Sequence, residues 1–306
     1  MSSSKYLISI AGPTAIGKTA AAIELANYYH TEIISADSRQ FYREMSIGTA
    51  KPSPQELAAA PHHFIGSHSI TDDINVGNFE QEGLALLDEL FAKHNVVIMA
   101  GGSGLYIKAI TEGFDNLPEV DPAIRENLNK IFAEQGITAL QQKLILADPA
   151  YYNLVDLQNP QRLIRALEVF ESTGKPYSSY RKGSYQQRPF NIIKLGLDMP
   201  REELYERINK RVDIMIESGL LDEVTQLLPY RHLNALHTVG YSEIFDYVDG
   251  KTDLPTAISM IKQNTRRFAK RQLTWFRKDK DTHWFHPTGI PAMINTINDI
   301  IAHSNA

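Results

Sequence analysis

Eight residues, Gly12 to Thr19, read GPTAIGKT and satisfy the pattern G-x-x-x-x-G-K-[ST]. That spacing suits a chain of phosphates. The glycines let backbone N–H groups curl around phosphate oxygens, Lys18 reaches further along the chain, and Thr19 offers a hydroxyl to Mg²⁺. The whole loop (Gly12, Pro13, Thr14, Ala15, Ile16, Gly17, Lys18 and Thr19) is therefore a candidate phosphate cradle of the kind found in nucleotide-binding and ATP-binding proteins. The apolar run Tyr6 to Ala11 supplies the strand that must precede such a loop, and the helix that starts at Lys18 adds its N-terminal dipole.

An NTP-hydrolysing protein normally adds an apolar strand ending in an acid that helps hold Mg²⁺. Here the strand Val96 to Ala100 runs instead into Gly101, Gly102, Ser103 and Gly104, with no acid at its tip. Another apolar strand, Glu32 to Ala36, does end in Asp37, followed by Ser38, Arg39 and Gln40. Ligands of open α/β sheets bind at the carboxyl ends of the strands, so Asp37 is read as a base or a Mg²⁺ ligand, against the plain alternative of an N-cap or loop aspartate.

A third feature lies near the end of the chain. From Lys262 to Lys280 there are eight basic residues against one acid, interleaved with Phe268, Trp275 and Phe276. Arg266 and Lys270 repeat at i,i+4, as do Arg267 and Arg271, so a helix displays them as a cationic stripe suited to a phosphate backbone. The alternative is a solvated helix whose aromatics enter the core. The adjacent His62 and His63 point to opposite faces of a strand and make a poor chelate, so packing or pocket lining is expected of them.

These groups need a scaffold. Strand and helix patterns alternate up to about Gly113: strand 6–11, helix to Tyr29, strand 32–36, helix Phe79 to Lys93, strand 96–100, then a tight turn into a helix from Leu105 to Ile110. The expected fold class is α/β, a P-loop NTPase-like parallel sheet core with an inserted all-helical domain and C-terminal helices. Residues 117–188 carry the helical texture, with Asp121-Pro122 and Asn159-Pro160 as N-cap plus first-turn proline. The run Phe190 to Leu197 reads as a strand, so the chain returns to its sheet, and the core comprises residues 1–116 and 189–306. A helix from Pro200 to Ser218 sets Arg207 and Arg211 one turn apart. The MSSS start and the last few residues are expected to fray.

Composition narrows the classes. The chain has 306 residues, 43% hydrophobic and 22% charged, enough to bury a sizeable core. It contains no cysteine, which excludes disulfides and thiolate metal sites and fits a cytoplasmic setting. No stretch approaches membrane-spanning length, so no membrane partner is expected. A net charge of −5 argues against non-specific nucleic-acid binding by the molecule as a whole and leaves local patches to do it.

Taken together, GPTAIGKT, SADSRQFY at Ser35 to Tyr42, GTAKP at Gly48 to Pro52, GGSGLY at Gly101 to Tyr106, NPQRLIRALEV at Asn159 to Val169 and TRRFAKRQLTWFR at Thr265 to Arg277 resemble the tRNA dimethylallyltransferase family in order and spacing along nearly the whole chain. One departure is Ser103, where the family usually has threonine; the hydroxyl is retained. The resemblance implies that residues 12–19 hold the diphosphate of dimethylallyl diphosphate with Mg²⁺ at Thr19, and that the prenyl group passes to N6 of an adenosine beside the anticodon. Diphosphate is then a leaving group, which accounts for the missing acid. By the same resemblance Asp37 is the base, Ser103, Lys18 and Thr19 serve the departing oxygen, and Ser38, Arg39 and Gln40 frame an extruded adenine. Either Arg207 or Arg211 reaches the diphosphate. For the tRNA anticodon stem-loop it implies Arg125, Gln161, Arg162, Leu163, Ile164 and Arg165 on the insertion, then Gly240, Tyr241, Lys270, Arg271, Trp275 and Arg277. A monomer is expected. Rival readings are a small-molecule P-loop kinase, a prenyltransferase acting on free adenine nucleotides, and a non-catalytic RNA-binding protein.

Overall fold

The structure, a computed structural model, describes residues 4–304 apart from 73, 116 and 182–185. The fraying expected at the two ends falls on residues 1–3 and 305–306, outside that range. In chain order the elements are β1 (Tyr6–Ala11), α1 (Lys18–Tyr29), β2 (Ile33–Ser35), α2 (Pro54–Ala59), β3 (His62–His63), α3 (Val76–Lys93), β4 (Val96–Gly101), α4 (Gly104–Glu112), α5 (Pro122–Gln135), α6 (Ile137–Ala147), α7 (Pro149–Tyr152), α8 (Pro160–Thr173), β5 (Asn191–Leu197), α9 (Arg201–Glu217), α10 (Leu220–Gln226), α11 (Tyr241–Val248), α12 (Leu254–Phe276), β6 (His283–Phe285) and α13 (Ile290–Ser304).

The six strands form one parallel sheet in the order β3-β2-β4-β1-β5-β6. A parallel sheet needs helices on both faces, which explains why β1 is buried at every position and apolar at all but Ser9. One face of β1 (Tyr6, Ile8, Ile10) packs with α1, α9 and α13, and the other (Leu7, Ala11) with α3 and α4. Because β1 lies between β4 and β5, the turns leaving β1, β2 and β4 converge at one edge of the sheet. A third apolar cluster joins α9, α10, α11 and α12 through Val212, Leu220, Tyr241 and Ile261.

The chain divides into two compact units, residues 1–112 with 187–306, and residues 113–186, against sequence boundaries drawn at 117 and 188. The second unit has its own core of Leu128, Leu140, Leu144, Tyr151, Leu163, Ile164 and Leu167. Its helices start where polar side chains accept the first free amides: Asp121 from Ala123, and Asn159 from Arg162, with proline following each. Asp148, buried in this unit, accepts from the Tyr151 amide, the Ser178 amide and the Ser178 hydroxyl.

Candidate active site

The cradle leaves β1 at Ala11 and enters α1 at Lys18. Within it Ala15 and Gly17 both take left-handed backbone, φ 63° and 109°, and Gly17 at the N-cap brings no side chain to cap the helix. The first amides of α1 are therefore presented to a cavity of about 640 Å³ lined by Thr14, Ala15, Gly17, Lys18 and Thr19. The same cavity is lined by Asp37 and Gln40 from the turn after β2, by Ala50 to Pro52, by Glu56 and His62, and by Arg207, Lys210 and Arg211 from α9.

Lys18 curls back, donating to the carbonyls of Gly12 at 3.0 Å and Pro13 at 2.8 Å. Burial pushes its pKa down to about 8, with Asp37 acting to raise it and Arg211 to lower it further. Both arginines of α9 come to the cradle: Arg207 Nε donates to the Ala15 carbonyl at 3.0 Å, and Arg211 Nη1 to the Thr14 hydroxyl at 3.3 Å. Burial also lowers the Arg211 pKa. The two arginines, one turn apart on α9, thus both face the loop.

Around Asp37 the turn is tied down. Its Oδ1 accepts from the Arg39 amide at 3.1 Å, and Ser103 Oγ accepts from the Ser38 amide at 3.0 Å while donating to Ser38 Oγ at 3.1 Å. Arg39 does not line the cavity; its guanidinium donates to the carbonyls of Asn234 and Ala235. Gln40 lines the cavity and donates to the carbonyls of Thr49 and Ala50. The sequence placed Ser38, Arg39 and Gln40 in one frame; in the structure only Gln40 of the three lines the cavity, while Ser38 bonds to Ser103 and Arg39 braces the turn from behind.

Several RNA-contact candidates have other surroundings. Tyr241 is fully buried, its hydroxyl donating to Glu223 at 2.6 Å and its ring lying where Gly48 leaves room. Gly240, just before it, holds left-handed backbone at φ 98°, and its amide donates to Glu243. Leu163 and Ile164 are core residues of the helical unit, because both fall on the apolar face of the amphipathic α8 together with Leu167. Gln161 and Arg162 are exposed on the opposite side. Arg125 and Arg165 both donate to the buried carboxylate of Glu168, at 2.7 and 2.5 Å. On α12, Arg266 donates to Asn209 at 2.6 Å, so the cationic stripe narrows to exposed Arg267, Lys270 and Arg271, with Trp275 41% exposed beyond them. Arg277, also exposed, pairs with Asp198.

Two residues that matter to the site escaped the sequence reading. Gln272 accepts from the Thr14 amide and donates to the Gly102 carbonyl, both at 2.9 Å. Glu223 accepts from the amides of Ser46, Ile47 and Gly48. A signal existed for the first: Gln272 sits three residues after Ala269 and four before Phe276, on the buried stripe of α12. His62 lines the cavity with Nδ1 2.7 Å from the Ala60 carbonyl, and His63 pairs with Glu32. Among the described residues no group of three His, Cys, Asp or Glu is arranged to hold a metal.

The sequence pattern of the IPP transferase family matches residues 40–279. The chain belongs to this family. A tRNA dimethylallyltransferase of Christiangramia forsetii is 60% identical over 282 residues, 92% of this chain and 93% of that one. The crystal structure of the full-length tRNA isopentenylpyrophosphate transferase from Bacillus halodurans aligns with TM-score 0.73 at 36% identity over 98% of both chains. A eukaryotic dimethylallyltransferase acting on tRNA aligns with TM-score 0.79 at 26% identity over 98% of this chain and 80% of its own. Within an IPP transferase, the cradle, the carboxylate after β2 and the α9 arginines are the groups whose shared cavity asks for a chemical account.

Proposed function

We propose that this IPP transferase moves a dimethylallyl group from dimethylallyl diphosphate to N6 of the adenosine on the 3′ side of the anticodon in tRNA, releasing diphosphate. The observation that carries this reading is one cavity holding a phosphate loop, two arginines and a carboxylate that follows β2. Such a set fits a diphosphate that leaves, with a base beside it.

The loop amides, Lys18, Arg207 and Arg211 gather donors and positive charge where the allylic C1–O bond breaks and negative charge grows. Ser103 turns toward the departing oxygen the proton it gives to Ser38 in the free chain. As the N6–C1 bond forms, N6 loses a proton, and Asp37 accepts it. The adenine reaches this depth by extrusion from the anticodon loop. Thr19 lines the same cavity, and a hydroxyl joined by phosphate oxygens and water is a donor set that fits Mg²⁺. When bound, Mg²⁺ neutralises part of the charge on the leaving diphosphate. Arg162 and Gln161 on the helical unit and the exposed Lys270, Arg271 and Trp275 supply cations and a stacking surface for the RNA, while Arg277 is shared with Asp198. The absence of cysteine suits the reducing cytoplasm. Among the described residues no helix is long and apolar enough to cross a membrane.

Incubation of the purified chain with labelled dimethylallyl diphosphate, Mg²⁺ and either unmodified tRNA or free AMP and ATP tests the reading. Label is expected in tRNA. Label in free nucleotide would make the acceptor wrong, and transfer of the γ-phosphate of ATP to a small hydroxyl acceptor would make the protein a kinase.

A further inference from the structure

We propose that Gln272 is a positioning residue for the transfer, a carboxamide strut that fixes the phosphate cradle against the turn after β4; the inference rests on the function proposed above. Gln272 is buried in α12, 7% exposed. Its Oε1 accepts from the Thr14 amide and its Nε2 donates to the Gly102 carbonyl, each at 2.9 Å. A backbone amide can only donate and a carbonyl can only accept, so the two partners need opposite characters at the two ends of one side chain. A carboxamide of this length meets both demands, whereas a carboxylate or a thioether does not.

The turns that the strut joins are those the chemistry uses. One carries Lys18 and Thr19; the other carries Ser103. They meet closely: a Cβ at Gly102 would collide with Gln272 Nε2 and lie 3.7 Å from Lys18 Nζ. One turn further along α12, the Trp275 indole occupies the space a Cβ on Gly104 would take. The inner face of α12 is therefore fitted to the 101–104 turn at two points and to the cradle at one. The outer face bears Arg267, Lys270 and Arg271. With the strut cut, cradle and turn keep their residues and lose their mutual register, which penalises the transition state more than RNA binding.

Q272E and Q272M in the full chain test this. At pH 8 both variants are expected to lose at least tenfold in kcat while KM for tRNA stays within twofold of the parent, with thermal unfolding recorded alongside. Q272E carries a second signature. A protonated glutamic acid donates through its hydroxyl to Gly102 and accepts from Thr14, so lowering the pH to 6 should recover its kcat relative to the parent at the same pH. Q272M, with nothing to titrate, should stay low. The inference is overturned if both variants keep kcat within twofold, if kcat and melting temperature fall while KM for tRNA rises with them, or if Q272M recovers along with Q272E. If the parent chain labels no tRNA, the functional reading fails first and takes this inference with it.

Discussion

Lys18 shows how far one side chain sets the working range of the site. It is held among the carbonyls of Gly12 and Pro13, and burial brings its pKa from 10.5 down to about 8, with Asp37 opposing and Arg211 reinforcing that fall. For folding, the protonated amine is the disfavoured form: its cost is present below pH about 8 and is relieved as the pH rises toward 10.5. For binding the sign is reversed, since a diphosphate is attracted only by the charged lysine. Accordingly kcat/KM for dimethylallyl diphosphate should fall above pH about 8, approaching tenfold per unit, and that limb should vanish in Lys18→Met. A profile of initial rates from pH 6.5 to 9.5 checks this, and a flat one removes Lys18 from diphosphate capture. At this scale the loop was legible because its spacing is its mechanism. The fate of the Ser103 proton was not, because a hydroxyl in a glycine-rich turn has many partners within reach.

Elements were readable in proportion to their length and burial. The strands β1, β4 and β5 declare themselves as largely apolar segments of six or seven residues. By contrast β3 is two residues, both histidine, and β6 is three, so neither carries enough periodicity to stand out. Burial of Tyr241 was not legible, because a tyrosine after glycine looks the same on a binding loop and at the start of a buried helix. Its hydroxyl is held by α10. There Glu223 accepts from three successive amides, Ser46 at 2.9 Å, Ile47 at 2.7 Å and Gly48 at 3.0 Å, and from the Tyr241 hydroxyl. These bonds anchor a loop that continues into Ala50, Lys51 and Pro52 on the cavity wall. Hydrogen bonds to a charged acceptor contribute about 1.5–3 kcal/mol each before losses are shared. Glu223→Ala should therefore cost about 2–4 kcal/mol, lower the melting temperature by roughly 5 °C or more, and raise KM for the diphosphate as the wall loosens. Thermal unfolding and initial rates measure both; an unshifted melting curve would show that the loop is held by its other contacts.

For the whole molecule, the difficulty is a chain of net charge −5 that must hold a polyanion. Attraction has to come from local cations not already committed to internal carboxylates, and the helical unit separates the two kinds. Arg125 and Arg165 both serve Glu168, which is 2% exposed and would be a costly buried charge without them. Arg162 stands one turn away on the exposed side of α8; its backbone amide is used in the cap by Asn159, and its guanidinium pairs with no carboxylate among the described residues. Sequence alone grouped all three, since charge and i,i+3 spacing do not reveal which carboxylate lies beneath. The distinction predicts opposite phenotypes. Arg162→Ala should leave the melting temperature unchanged, weaken tRNA binding several-fold at physiological salt, and reduce the slope of log affinity against log salt by about 1. Arg125→Ala should destabilise the helical unit by about 1–3 kcal/mol, seen as faster amide exchange along α5 and α8, because it strips a partner from a buried carboxylate. Binding titrations across a salt series, run beside hydrogen exchange, tell these apart. If Arg162→Ala binds tRNA as tightly as the parent with the same slope, recognition has to be assigned to the cations of α12, and the helical unit loses its part in holding the RNA.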